Sequence, residues 1–434
     1  MKSYDCKIGR CLLGGAVLGW ASLACSGLSW AGEQGVEPAA DAHFSQCVAE
    51  LKQRALDEKI APEVVDTQLG AVSYVARVIE LDRKQPEFTE TFHNYLLQRV
   101  NEQRIQKGRQ MLKQHYDLLL QLTREYGIPP QYLVAFWGLE TNFGSYLGKM
   151  NVLDSLTTLA CDPRRSEFFT VELMEALRLV EDGVADHTTM LGSWAGAMGN
   201  MQFMPSAYRR YALDADGDKK ADLWNSLPDA FTSAAHFLNK LGWERNLRWG
   251  REVQLPEKFD YALAGRDVRK PLSEWRQLGI RDVAGNPVPN LELSASVIIP
   301  SGHRGPAFMV YQNFDVIMGW NRSEFYALAV GHLADRINGA GELAVMPPDD
   351  ERLTVETVQW VQKALTQAGY DIGAVDGIFG TRTKRALRDL QKSQGWVADG
   401  YLSDETLNLL KAASNSKQAA DTDQASDSDS GEQP

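Results

Sequence analysis

Across residues 44–126 apolar positions recur at the three-to-four-residue spacing of a helix face, as in Ile105, Met111, Leu112, Tyr116, Leu118, Leu119 and Leu122. The stretch predicts several packed helices. Pro129-Pro130 then opens a further helix, since proline costs least in a first turn, where the missing N–H would have no partner anyway. The next nine residues, Gln131 to Leu139, carry no charge, and Glu140 follows them directly. Later, Ser296-Val297-Ile298-Ile299 and Ala307-Phe308-Met309-Val310 flank Pro300-Ser301-Gly302, which predicts a short β-hairpin set into helical surroundings. The fold class expected is mainly α.

The pattern also divides the chain. Residues 1–31 begin with Lys2, Lys7 and Arg10, continue through an apolar run from Cys11 to Cys25, and end in the small residues around Ser29-Trp30-Ala31, the layout of a secretory signal. That run is shorter than the roughly 20 residues that cross a bilayer. A lipoprotein with Cys25 acylated would call for leucine where Ser22 stands, so a cleaved signal and a periplasmic protein are preferred to an outer-membrane lipoprotein. The main domain is placed at residues 41–339. A linker at 340–352 contains Gly341, Pro347, Pro348 and Asp349-Asp350-Glu351, a compact domain fills 353–411, and the Ser-, Asp-, Gln- and Ala-rich residues 412–434 predict a disordered tail.

With 434 residues, 44% of them hydrophobic, the chain can bury a core without staples. Its net charge of −12 and the lack of a basic cluster interleaved with aromatics exclude nucleic acid as an expected partner. Beyond the signal only Cys47 and Cys161 remain. Outside the cytoplasm they are free to pair, and two buried thiols are the alternative.

Glu140 shares a helix face with Phe136 and Trp137. A carboxyl held against aromatic carbon loses hydration, which raises its pKa toward the value a general acid needs. A glutamate that merely caps or pairs at a helix end has the same local sequence. Downstream, the run from Gly192 to Ser206 is rich in glycine yet carries amides, aromatics and methionines, so its backbone can approach a ligand while Ser193 and Gln202 hydrogen-bond it. It lacks the lysine of a nucleotide-binding loop.

Five segments occur in order: Tyr126-Gly127-Ile128-Pro129-Pro130, Trp137-Gly138-Leu139-Glu140-Thr141, Pro163-Arg164-Arg165, Ala195-Gly196-Ala197-Met198-Gly199 and Gln202-Phe203-Met204-Pro205-Ser206. Together they resemble the signature of the membrane-bound lytic murein transglycosylase B family. The resemblance implies a lysozyme-like α domain that cleaves the β-1,4 bond between N-acetylmuramic acid and N-acetylglucosamine in peptidoglycan. Ordinary glycosidases use two carboxylates. The family is expected to use one, here Glu140, as acid toward the glycosidic oxygen and then as base toward the C6 hydroxyl, closing a 1,6-anhydro ring.

The same resemblance assigns Ser193, Gln202 and Phe203 to the sugars, Arg164 and Arg165 to substrate carboxylates, Phe168 to ring stacking, and Asn321 and Tyr326 to the floor of the site. Asn321 with Glu324 also reads as a helix-capping box. Two rivals remain: a hydrolytic muramidase with Asp154 as second carboxylate, and a non-catalytic wall-binding scaffold.

Asp214, Asp216, Asp218, Asp222 and Asn225 fall at positions 1, 3, 5, 9 and 12 of a twelve-residue loop, a spacing that suits structural calcium. Lys219 at the usual glycine position and Asn225 in place of a bidentate glutamate weaken that match, and no cofactor is expected to be required. The segment with Val358, Val361, Leu365, Asp376-Gly377, Leu387, Leu390 and Asp399-Gly400 resembles the small three-helix peptidoglycan-binding domain. Peptidoglycan glycan strands are thus the expected partner, along with cell-wall synthesis or remodelling proteins, and the enzyme is read as a monomer.

Overall fold

A computed structural model describes residues 38–83 and 90–412. The expected signal, the acylation position Cys25 and the tail from 413 onward lie outside the described residues. Helices dominate, as the periodicity requires. Six of them, Pro38–Asp57, Pro62–Gly70, Ala76–Arg83, Phe92–Arg99, Glu102–Gln114 and Tyr116–Tyr126, precede the apolar helix Pro130–Thr141. No helix among the described residues is long and apolar enough to cross a membrane.

Pro130–Thr141 has Pro129 at its N-cap and buries every residue from Tyr132 to Gly138. A helix that is apolar on all sides belongs in a core. It packs against Glu102–Gln114, Tyr116–Tyr126, Leu227–Lys240 and Glu324–Ile337, and so forms the axis of the largest hydrophobic cluster. Asn142 ends it in the left-handed conformation, φ 50°, with its N–H on the Trp137 carbonyl. Glu140 therefore sits in the last turn of a sheltered helix. Gly331, on helix Glu324–Ile337, makes room for the buried Trp249 ring, which a Cβ there would approach to 2.3 Å.

The hairpin is present as strands Ser294–Ile298 and Ala307–Val310, paired Val297 to Met309. It is part of a larger, wholly antiparallel five-stranded sheet, completed by Lys270–Pro271, Gly250–Gln254 and Arg281–Asp282. Two of these strands are two residues long and the third reads Gly-Arg-Glu-Val-Gln, so none had an alternating pattern to betray it. The sheet has its own core around Trp275, Tyr311 and Met309.

Cys47 and Cys161 form a disulfide. It joins the first helix to the end of helix Val152–Ala160 and closes a loop of 114 residues, a constraint that lowers the entropy of the unfolded chain. The segment expected to be a linker is held at three points: Glu252 accepts hydrogen bonds from the N–H groups of Ala344 and Val345, and His93 meets the Pro347 carbonyl. Beyond it, helices Val355–Gln367 and Thr381–Ser393 and a helical segment at 404–412 enclose a third core around Val361, Leu365 and Leu387.

Candidate active site

Glu140 is partly buried, and two aromatic donors converge on one of its oxygens. Trp320 Nε1 lies 2.9 Å from Oε1, and the Tyr326 hydroxyl donates to the same atom. Oε2 has no partner among the described residues. Phe136, one turn earlier, packs on Trp320 with ring centroids 4.7 Å apart, so apolar carbon surrounds the carboxyl as its sequence context predicts. Trp137 is turned elsewhere, its indole N–H on Asn200 Oδ1 at 2.9 Å.

Burial pushes the Glu140 carboxyl up to about 7, and the hydrogen bonds from Tyr326 and Trp320 offset part of that rise. Tyr326 is held well above its ordinary value, first by burial and then by the neighbouring carboxylate, so it stays a donor. A carboxyl poised near neutrality can release a proton and regain it within one cycle. With both donors on Oε1, the exchangeable proton belongs on Oε2.

The Gly192–Ser206 segment forms the adjoining wall. The Ser193 hydroxyl accepts from the N–H groups of Ala195 and Ala197, which folds the glycine-rich turn back on itself. Gln202 is left-handed, φ 48°, and its amide nitrogen donates to the carbonyls of Gly199 and Leu147. Its Oε1 has no partner among the described residues. Asn200 is buried and donates to the carbonyls of Leu223 and Trp224, while Ser206 donates to the buried Glu172. Much of this motif therefore holds the wall in place. Phe203 is 2% exposed and packs on Trp320 at 5.3 Å, so its side chain supports the Glu140 donor from within the core.

Arg164 and Arg165 both donate to Asp82, a carboxylate 2% exposed, and Arg165 also covers the Phe169 ring at 4.8 Å. Their charges tie helix Ala76–Arg83 to the start of helix Ser166–Glu181. Phe168 is half exposed and meets Phe169 edge-on. Asp154 accepts from His187 Nε2 at 3.0 Å and from the Ser73 N–H, so its carboxylate already has partners in the fold.

The capping box expected at Asn321 is not formed. Ser323 caps helix Glu324–Ile337, accepting from the Tyr326 N–H, whereas Asn321 ends the preceding helix and its Oδ1 accepts from the Ser323 N–H. A serine two residues closer to the helix reaches the first-turn donors that Asn321 would have taken. This cap fixes the turn that carries both Trp320 and Tyr326. Trp320 was missed in the sequence. Its position directly before Asn321 was the available signal.

In the acidic loop, carboxylate oxygens of Asp214, Asp216 and Asp229 lie within 4.8 Å of one another. Asp229 is fully buried and falls outside the twelve-residue spacing, which is why the sequence did not reveal it. Asp218 is not in this group, and Asn225 spends its amide nitrogen on Asp222. Lys219 takes the left-handed turn at φ 77° that glycine usually supplies. Three hard oxygen donors fit a calcium ion in kind.

Residues 43–335 match the transglycosylase SLT domain family, and residues 354–410 match a peptidoglycan binding domain family. Among solved structures, SltB3 from Pseudomonas aeruginosa in complex with NAG-anhNAM-pentapeptide superposes with a TM-score of 0.81 at 41% identity, covering 85% of this chain and 99% of that one. Escherichia coli lytic transglycosylase Slt35 in complex with calcium gives 0.58 at 27% identity, over 68% and 92% of the two chains. Membrane-bound lytic murein transglycosylase B of Escherichia coli is 32% identical over 246 residues, 54% of this chain. The match spans 63% of that relative's length.

Proposed function

The chain belongs to the transglycosylase SLT domain family, and from that premise we propose that it is a periplasmic lytic transglycosylase of peptidoglycan. It cleaves the β-1,4 bond between N-acetylmuramic acid and N-acetylglucosamine and leaves 1,6-anhydromuramic acid ends. The observation that carries this reading is a single carboxyl, Glu140, raised to about 7 and held through one oxygen by Trp320 and Tyr326.

Glu140 Oε2 gives its proton to the glycosidic oxygen as the bond to the muramic C1 breaks. The charge left on the carboxylate is stabilised by the two donors on Oε1, charge-assisted bonds stronger than those to the neutral acid. Oε2 then accepts the proton of the C6 hydroxyl as its oxygen closes on C1. Because that nucleophile is part of the substrate, its attack needs no water and no second carboxylate, and well-oriented intramolecular attack is worth about 7 kcal/mol or more. A hydrolytic route would use a second carboxylate to activate water; at Asp154, the expected candidate, His187 Nε2 and the Ser73 N–H both bind Oδ1 and tie the side chain into the fold. Soluble muropeptides released from purified sacculi are therefore expected to carry anhydro ends.

In this reading Ser193 and the unpartnered Oε1 of Gln202 hydrogen-bond sugar hydroxyls and acetamido groups. Arg164 and Arg165 reach substrate carboxylates only in competition with Asp82. Residues 41–339 carry catalysis, 340–352 link, and 353–411 hold the enzyme to the wall, raising the local concentration of strands.

Calcium is a structural option at Asp214, Asp216 and Asp229, not a catalytic requirement. Thermal melts with calcium and with chelator are expected to differ by several degrees, the calcium form being more stable, and Asp229→Asn should erase the difference. Identical melts of the parent chain in both conditions would remove the site.

A further inference from the structure

The loop leaving the Glu140 helix is held more firmly than a surface turn requires. Asn142, Phe143 and Gly144 have φ of 50°, 60° and 74°, and two of these three successive left-handed residues are not glycine. Side chains disfavour that conformation, which persists where the surroundings over-determine it. Here hydrogen bonds and close backbone packing supply the constraint. The Gly144 N–H is 3.0 Å from Thr141 Oγ1, the Tyr146 N–H is 3.1 Å from the Thr141 carbonyl, and Gln202 reaches the Leu147 carbonyl. Gly148 lies so close to the opposite wall that a Cβ would stand 2.0 Å from the Gly192 carbonyl oxygen. The loop is thus clamped between the end of the Glu140 helix and the wall that carries Ser193 and Gln202.

Two aromatic rings leave this loop in opposite senses. Phe143 goes inward, 8% exposed, and meets Trp137 edge-on. Tyr146 is 62% exposed, the largest exposure of any large hydrophobic side chain among the described residues, and its hydroxyl has no hydrogen bond among them. A rigid backbone that presents a bare ring beside a glycan site offers a flat apolar face. A tyrosine fixed by two χ angles offers that face at little entropic cost.

We propose that Tyr146 is a specificity-determining residue of the groove, a platform on which one face of an N-acetylated pyranose of the strand stacks, next to the sugar whose bond is cleaved. The inference rests on the proposed glycan substrate and deepens it. The axial C–H groups of a pyranose carry partial positive charge and suit the negative face of an aromatic ring. The ring itself is the contact, so phenylalanine and tryptophan replace it and alanine does not.

Binding is measured in the full chain bearing Glu140→Gln, which retains strands without cleaving them, with peptide-free glycan strands and with N-acetylglucosamine oligomers as probes. Adding Tyr146→Ala is expected to weaken binding about tenfold, whereas Tyr146→Phe and Tyr146→Trp stay within about threefold, as one aromatic stacking contact implies. The exposed position leaves melting unchanged in all three. Equal binding by the alanine variant overturns the proposal, and so does a phenylalanine variant as weak as alanine, which would make the hydroxyl the contact. Failure of the Glu140→Gln chain to bind either probe with Tyr146 in place contradicts the glycan-cleaving function itself, and the platform falls with it.

Discussion

Glu140→Gln is expected to lower the rate of muropeptide release from purified sacculi by at least about 10²- to 10⁴-fold, the contribution of a positioned acid–base group. The substitution keeps the size of the side chain and an oxygen able to accept from Trp320 Nε1 and the Tyr326 hydroxyl, so the site should retain its shape. What it removes is the exchangeable proton on Oε2. Both halves of the reaction then fail, because glutamine neither protonates the leaving oxygen nor accepts from the C6 hydroxyl. Binding of the strand should survive, since the sugar contacts come from other residues. A variant that solubilises sacculi as fast as the parent would support the scaffold reading, in which the groove binds and nothing is cut.

The same substitution is expected to stabilise the fold at neutral and alkaline pH. Glu140 titrates near 7 in the folded chain against 4.5 ordinarily, and its rise is caused chiefly by burial. Between those values the folded chain holds a proton that the unfolded chain has released, so stability falls as pH rises through this window. Below 4.5 the penalty is absent, and above 7 it is complete. At roughly 1.4 kcal/mol per pH unit the interval amounts to about 3 kcal/mol. Denaturant unfolding at pH 4 and pH 8 should show the advantage of the glutamine variant growing by about that amount, all other titrating groups being shared. An advantage that does not change with pH would mean that the folded chain does not raise the Glu140 pKa. The catalytic site thus costs stability, and the buried core around it absorbs the cost.

The sequence revealed those parts of this arrangement that depend on neighbours along the chain. Helical periodicity, the prolines opening Pro130–Thr141 and the uncharged run ending at Glu140 are all local signals, and the helices follow them. The environment of Glu140 is another matter. Its donors stand 180 and 186 residues away, Tyr326 on helix Glu324–Ile337, which packs on Pro130–Thr141, and Trp320 at the end of the helix before it, where a place beside Asn321 is the only local hint. Family resemblance supplied Tyr326 but not Trp320.

The other surprises have a similar cause. Asp229 joins the acidic loop from the first turn of the next helix, beyond any loop spacing, and it is the one carboxylate of the three that is buried. Arg164 and Arg165, which the resemblance assigns to substrate carboxylates, both bind Asp82, a partner distant in sequence. Three strands of the sheet went unseen since tertiary pairing, not alternation, makes them strands. Tyr146, by contrast, was visible as a residue but meaningless until its loop was seen clamped against Gly192.

The central claim is that one carboxyl and the substrate's own hydroxyl suffice for cleavage, without water as a reactant. Digestion of purified sacculi in water enriched in heavy oxygen, followed by mass analysis of the released muropeptides, tests it directly. Ends that carry no label and are lighter by one water than a reducing end are the predicted result. Labelled reducing ends, formed by the parent chain and lost in Glu140→Gln, would contradict it.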